Sequence, residues 1–79
     1  MKKAEFEFVV RAITEQMVGF LMEDYGMSIL DAFDKIYNSQ IFLKLQDKTT
    51  GLYLRSAAYT YEYLKKEIST NPKGVADSL

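Results

Sequence analysis

The sequence predicts an all-α fold: a small helical bundle of three main helices plus one short helix, in a single domain over residues 1–69. Three observations predict it. Apolar residues recur at helical spacing through most of the chain. Gly, Ser and Asn fall where those periodic segments stop and start. The one stretch that alternates like a strand, Tyr59, Tyr61 and Tyr63, has no second candidate to pair with, and a lone strand is not viable.

Helix 1 is expected from about Ala4 to Tyr25, with Phe6, Val9, Val10, Ile13, Met17, Phe20 and Leu21 in one continuous stripe. Gly26 follows as a natural C-terminal stop, because it tolerates positive φ. Helix 2 starts at Ser28, where Ser28-Ile29-Leu30-Asp31 has the form of a capping box. Met27 closes it as a hydrophobic staple, and Ile29, Leu30, Phe33, Ile36 and Tyr37 are its expected buried stripe. Asn38-Ser39 ends that helix and offers a fresh cap. The short helix 3 runs from about Gln40 to Asp47 with Ile41, Phe42 and Leu45 inward, and Lys48-Thr49-Thr50-Gly51 forms a turn. Helix 4 takes Ser56 as cap and runs to about Ser69, turning Ala57, Tyr61, Leu64 and Ile68 inward. Thr70-Asn71-Pro72 stops it, and residues 70–79 are expected to be a flexible tail.

Composition limits the chemistry. Seventy-nine residues bury only ~60 % of the surface of the unfolded chain, so the core is marginal. An apolar fraction of 48 % nevertheless suffices for a packed core and is too rich for a disordered chain. There is no Cys and no His, so no thiolate, no Ser-His or Cys-His pair and no zinc site of the usual kind is available. The expectation is a chain without cofactor or metal and without a catalytic residue. The lack of Cys favours a reducing, cytoplasmic compartment. Glu5, Glu7 and Arg11 interrupt the N-terminal apolar run, which argues against a signal peptide, and no apolar stretch approaches the ~18 residues of a membrane span. Lys65-Lys66, near the end of helix 4, suits the helix dipole better than a membrane surface.

Each candidate for catalysis or metal binding has a simpler explanation. Glu23-Asp24 are neighbours on a helix and do not converge, and Asp31 with Asp34 belongs to a capped first turn. Asp47, Thr49 and Gly51 fall short of a calcium loop and suit a turn.

The apolar residues outside the stripes point to a partner. Tyr59 and Tyr63 lie one turn apart, opposite the inward face of helix 4. Val18 and Met22 lie opposite the stripe of helix 1, with Phe8 and Tyr25 on its flanks, and Leu43 points away from the inward side of helix 3. Ala12 and Gly19, a heptad apart, would admit another helix closely. Exposed Tyr and Met are enriched at interfaces, and a marginal domain gains stability by pairing. The partner-binding candidates are therefore Tyr59, Tyr63, Val18, Met22 and Leu43, in a homodimer or with another small protein. A simpler account covers Val18 and Met22: a helix central to a bundle is buried over more than half its circumference.

The alternative is a helix-turn-helix DNA reader over residues 28–48, with Ala32 at the small-residue position and Ser39-Gln40 opening a recognition helix. The expected turn Gly is missing, and that helix carries only Lys44 and the terminal Lys48 as cations. Ten basic residues against eleven acidic ones equip the chain poorly for phosphate, although residues 40–79 hold six basic and four acidic.

The run Ser28-Ile29-Leu30-Asp31-Ala32-Phe33-Asp34-Lys35-Ile36-Tyr37-Asn38-Ser39, with Phe42, Leu45, Asp47, Thr50-Gly51-Leu52-Tyr53, Ser56, Tyr59 and Leu64, resembles a group of short bacterial all-helical proteins of unknown function. The likeness spans about Val9 to Ile68, and Thr-Gly-Leu-Tyr is its most specific part. Some members are encoded beside toxin-like or other small uncharacterised genes. The resemblance implies a bacterial cytosolic accessory protein and supplies no catalytic residue. The expectation for the chain is a non-enzymatic interaction module, a homodimer or the partner or neutraliser of another small protein.

Overall fold

The structure, a computed structural model, describes residues 3–70. Four helices follow one another: α1 (Lys3–Tyr25), α2 (Ile29–Tyr37), α3 (Gln40–Leu45) and α4 (Ala57–Thr70). Two 3₁₀ turns, Lys48–Thr50 and Leu52–Leu54, separate α3 from α4. The fold is all-α, and no strand occurs among the described residues. The tail expected at 70–79 lies outside the described residues, apart from Thr70 at the end of α4.

Local chemistry sets the boundaries. Gly26 takes φ 68° and its N–H returns to the Met22 carbonyl at 3.1 Å, which closes α1. Ser28 caps α2, its Oγ accepting the Asp31 N–H at 3.1 Å. The Asn38 side-chain amide donates back to the Asp34 carbonyl at 2.8 Å and closes the same helix. Ser39 serves two helices: its hydroxyl donates to the Ile36 carbonyl at 2.6 Å and accepts the Phe42 N–H at 3.2 Å. Ser56 caps α4 by accepting the Tyr59 N–H at 3.1 Å.

Helix α3 ends at Leu45, two residues before the expected Asp47. Asp47 instead turns its carboxylate onto the Thr49 N–H (3.0 Å) and hydroxyl (2.7 Å) and opens a new turn. Gly51 then takes φ 71° and lets a second turn begin. The Thr-Gly-Leu-Tyr element joins the two turns, and it carries the Tyr53 ring edge-on against Phe6 of α1, centroids 5.0 Å apart.

Helix α1, about 34 Å long at ~1.5 Å per residue, is the spine on which α2, α4 and the second 3₁₀ turn pack. Met17, Leu21, Ile36, Leu45 and Leu64 are fully enclosed at the centre of the core. The α1 stripe is buried or half-buried throughout, and Thr14 joins it by donating to the Val10 carbonyl at 2.8 Å.

Two expectations fail. Val18, a candidate partner residue, is only 4 % exposed. It lies one turn along from Thr14, on the flank of α1 that faces α2, so the spine is covered on two sides. The α2 stripe is also turned. Ile36 is buried and Phe33 half-buried, but Ile29 is 52 % exposed, Leu30 76 % and Tyr37 54 %. The fully buried residues of α2 are Ala32 and Ile36. Packing through a small residue lets the two backbones come close, and the large side chains beside it swing outward.

Candidate protein-interaction surface

At about 100° per residue, Ile29, Leu30, Phe33 and Tyr37 share one side of α2, and they form an apolar ridge that the subunit leaves largely uncovered. The ridge borders a groove of about 720 Å³ between the N-terminal half of α1 and the corner where α2 meets α3. Phe6, Val10, Phe33, Tyr37 and Phe42 give the groove its apolar lining. Tyr37 organises it, stacking on Phe33 with centroids 5.6 Å apart and meeting Phe42 edge-on at 5.0 Å. Lys3, Arg11 and Lys48 supply three cations to the walls, and Glu7 and Glu15 two carboxylates. The Lys48 ammonium lies 5.1 Å from the Phe6 ring centroid.

The wall at Phe42 depends on a contact distant in sequence. The Glu67 carboxylate of α4 accepts the N–H groups of Gln40 at 2.7 Å and Ile41 at 3.1 Å. These amides have no partner within α3, and the helix dipole favours an anion there. Glu67 thus fastens the start of α3 to α4.

The candidates named from the sequence fall on separate elements. Tyr59 and Tyr63 are exposed as expected, with rings 5.4 Å apart and hydroxyls 3.3 Å apart. The hydrogen bond to Tyr59 holds the Tyr63 hydroxyl above the ordinary tyrosine value. Arg55 lies over the Tyr59 ring at 5.2 Å and Lys66 over Tyr63 at 5.6 Å, so the chain's own cations already sit over both faces. Met22 on α1 and Leu43 on α3 are exposed as expected. Val18 belongs to the core. Gly19 faces open space, since a Cβ there would meet nothing within 4 Å, so the close approach expected there is not made within the subunit.

The tyrosine between the exposed pair has a structural role. The Tyr61 hydroxyl donates to Asp24 Oδ2 at 2.7 Å, and its ring packs on Phe20 at 4.9 Å. Burial, reinforced by the Asp24 carboxylate, pushes this hydroxyl far above the ordinary tyrosine range. Asp47 is held below the ordinary carboxylate range by the Thr49 hydroxyl and amide, as a turn cap would be. Among the described residues, no group of three or more acidic, His or Cys side chains is placed to hold a metal, and no helix is long and apolar enough to cross a membrane.

Compared with known proteins, the chain matches no family model, no curated protein and no solved structure.

Proposed function

We propose that this chain is a non-enzymatic protein-interaction module that docks an apolar protein surface on the α2 ridge and its adjoining groove. The observation that carries the reading is the outward turn of Ile29, Leu30 and Tyr37 beside an aromatic-lined groove. Contiguous exposed apolar surface rimmed by charge is the usual mark of a docking site. The groove wall offers two carboxylates, Glu7 and Glu15, eight residues apart on one helix. Their backbones are therefore ~12 Å apart, with Arg11 midway between them on the same helix, so the three charges form a rim to the groove. A role as partner of another small protein fits a binding face better than an active site.

The helix-turn-helix alternative gains no support. The Glu67 carboxylate occupies the first amides of α3, where a DNA reader would bring its recognition helix to phosphate and bases.

Leu30→Asp tests the proposal. The far-UV circular dichroism spectrum should be unchanged and stability should move by no more than ~0.5 kcal/mol, as for other surface positions. At concentrations low enough for the chain to be monomeric, fluorescence of an apolar dye bound to the wild-type face should fall. Loss of the fold would place Leu30 in the core and end the proposal.

A further inference from the structure

Resting on that reading, we infer that the partner of this face is a second copy of the chain, docked α2 against α2 in antiparallel across a two-fold axis. The face is self-complementary in shape. Its protruding side chains, Ile29 and Leu30, occupy the N-terminal half of α2. Its groove opens beside the C-terminal half, where Phe33 and Tyr37 line it. An antiparallel pair sets the first half of one helix against the second half of the other, so each copy inserts Leu30 into its neighbour's groove. Both insertions are made by a single rotation, which is the condition for a closed isologous dimer.

Charge follows the same pattern. Asp34 flanks Leu30 on the ridge, with Asp31 beyond it, so the protruding side is acidic. The groove wall carries Arg11, which has no carboxylate within ion-pair distance among the described residues, together with Lys48. Docking of two copies brings Asp34 of each toward Arg11 and Lys48 of the other, twice, along a wall that also carries Glu7 and Glu15. The area is that of a weak, concentration-dependent contact. Ile29, Leu30 and Tyr37 leave roughly 350 Å² open, and the groove lining brings the face to roughly 500 Å², below the ~800 Å² per partner of a standard interface.

Sedimentation equilibrium and light scattering of the full chain, over a wide concentration range, test this. The wild type should form a dimer. Leu30→Asp should weaken it roughly 100-fold, from the loss of one buried leucine per copy. Arg11→Asp and Asp34→Arg should each weaken it roughly 10-fold, and the double reversal should restore most of the loss. The charge pair decides the matter even if Leu30→Asp fails to fold. A wild type that stays monomeric but binds apolar dye through Leu30 overturns the second copy as occupant and leaves a docking face for a different protein. A monomer that binds no dye overturns both readings. A dimer indifferent to Leu30→Asp but broken by Tyr59→Ser with Tyr63→Ser moves the interface to α4 and overturns this geometry.

Discussion

Replacing Glu67 with Ala should destabilise the domain by about 1–2 kcal/mol and loosen the groove. One carboxylate accepts two backbone N–H groups, at 2.7 and 3.1 Å, from the start of a helix only six residues long. Losing an N-cap acceptor typically costs about 1 kcal/mol. Hydrogen bonds to a charged group are worth up to about 3 kcal/mol, but the Gln40 bond is exposed and water can replace it. The half-buried Ile41 bond is harder to replace, which sets the total near the middle of that range. Urea unfolding followed by circular dichroism gives the loss directly. The melting temperature of a domain this size should drop about 4–8 °C for each kcal/mol. Glu67→Gln keeps one acceptor oxygen and should recover about half of the loss. Because α3 carries Phe42 into the groove wall, Glu67→Ala should also weaken apolar dye binding. If Glu67→Ala matches the wild type within about 0.3 kcal/mol in urea, water caps α3 equally well and the link to α4 has no energetic weight.

Tyr61→Phe should cost about 1 kcal/mol at neutral pH by removing the bond to Asp24. It should also change the alkaline limb: below about pH 10 the tyrosine is protonated in both states, and above it the unfolded chain loses that proton while the folded one keeps it. Wild-type stability therefore falls as pH rises past 10, the Phe variant falls less steeply, and parallel curves would refute the linkage. Thr60 is fully buried and its hydroxyl has no hydrogen-bond partner, so isosteric Thr60→Val should stabilise by about 1 kcal/mol in denaturant titrations; a loss of stability would show that the hydroxyl is bonded. Gly19→Ala should raise helix stability by about 0.5–1 kcal/mol with association unchanged, whereas a loss of association would show that a partner helix approaches there.

The sequence disclosed the features that local chemistry controls. Ser28, Ser39 and Ser56 cap the helices assigned to them, and Gly26 and Gly51 take positive φ where a stop and a turn were expected. The α1 stripe was legible because 23 residues sample many turns and average out exceptions. Orientation was not legible. Periodicity says which residues share a face, but not which arc of that face a neighbour covers. In α2 the neighbour takes the Ala32/Ile36 edge and leaves the larger residues outside. On α1 the same uncertainty moved Val18 from a supposed patch into the core. Contacts distant in sequence left no trace either. Glu67 reads as one more charge after Lys65-Lys66, and its partners lie 27 and 26 residues away. The apolar residues of the interaction surface, Ile29, Leu30, Phe33, Tyr37 and Phe42, were all noticed, and all were assigned to the core. Arg11 and Lys48 carried no signal until the fold set them beside the groove.

The shared hydroxyl of Ser39 makes the elbow between α2 and α3 indivisible. One oxygen finishes the first rod and begins the second, so fraying at either end strains the bond at the other, while Asn38 and Glu67 hold the remaining groups. The corner that shapes the groove should thus open as one step, with Tyr37 and Phe42 parting together.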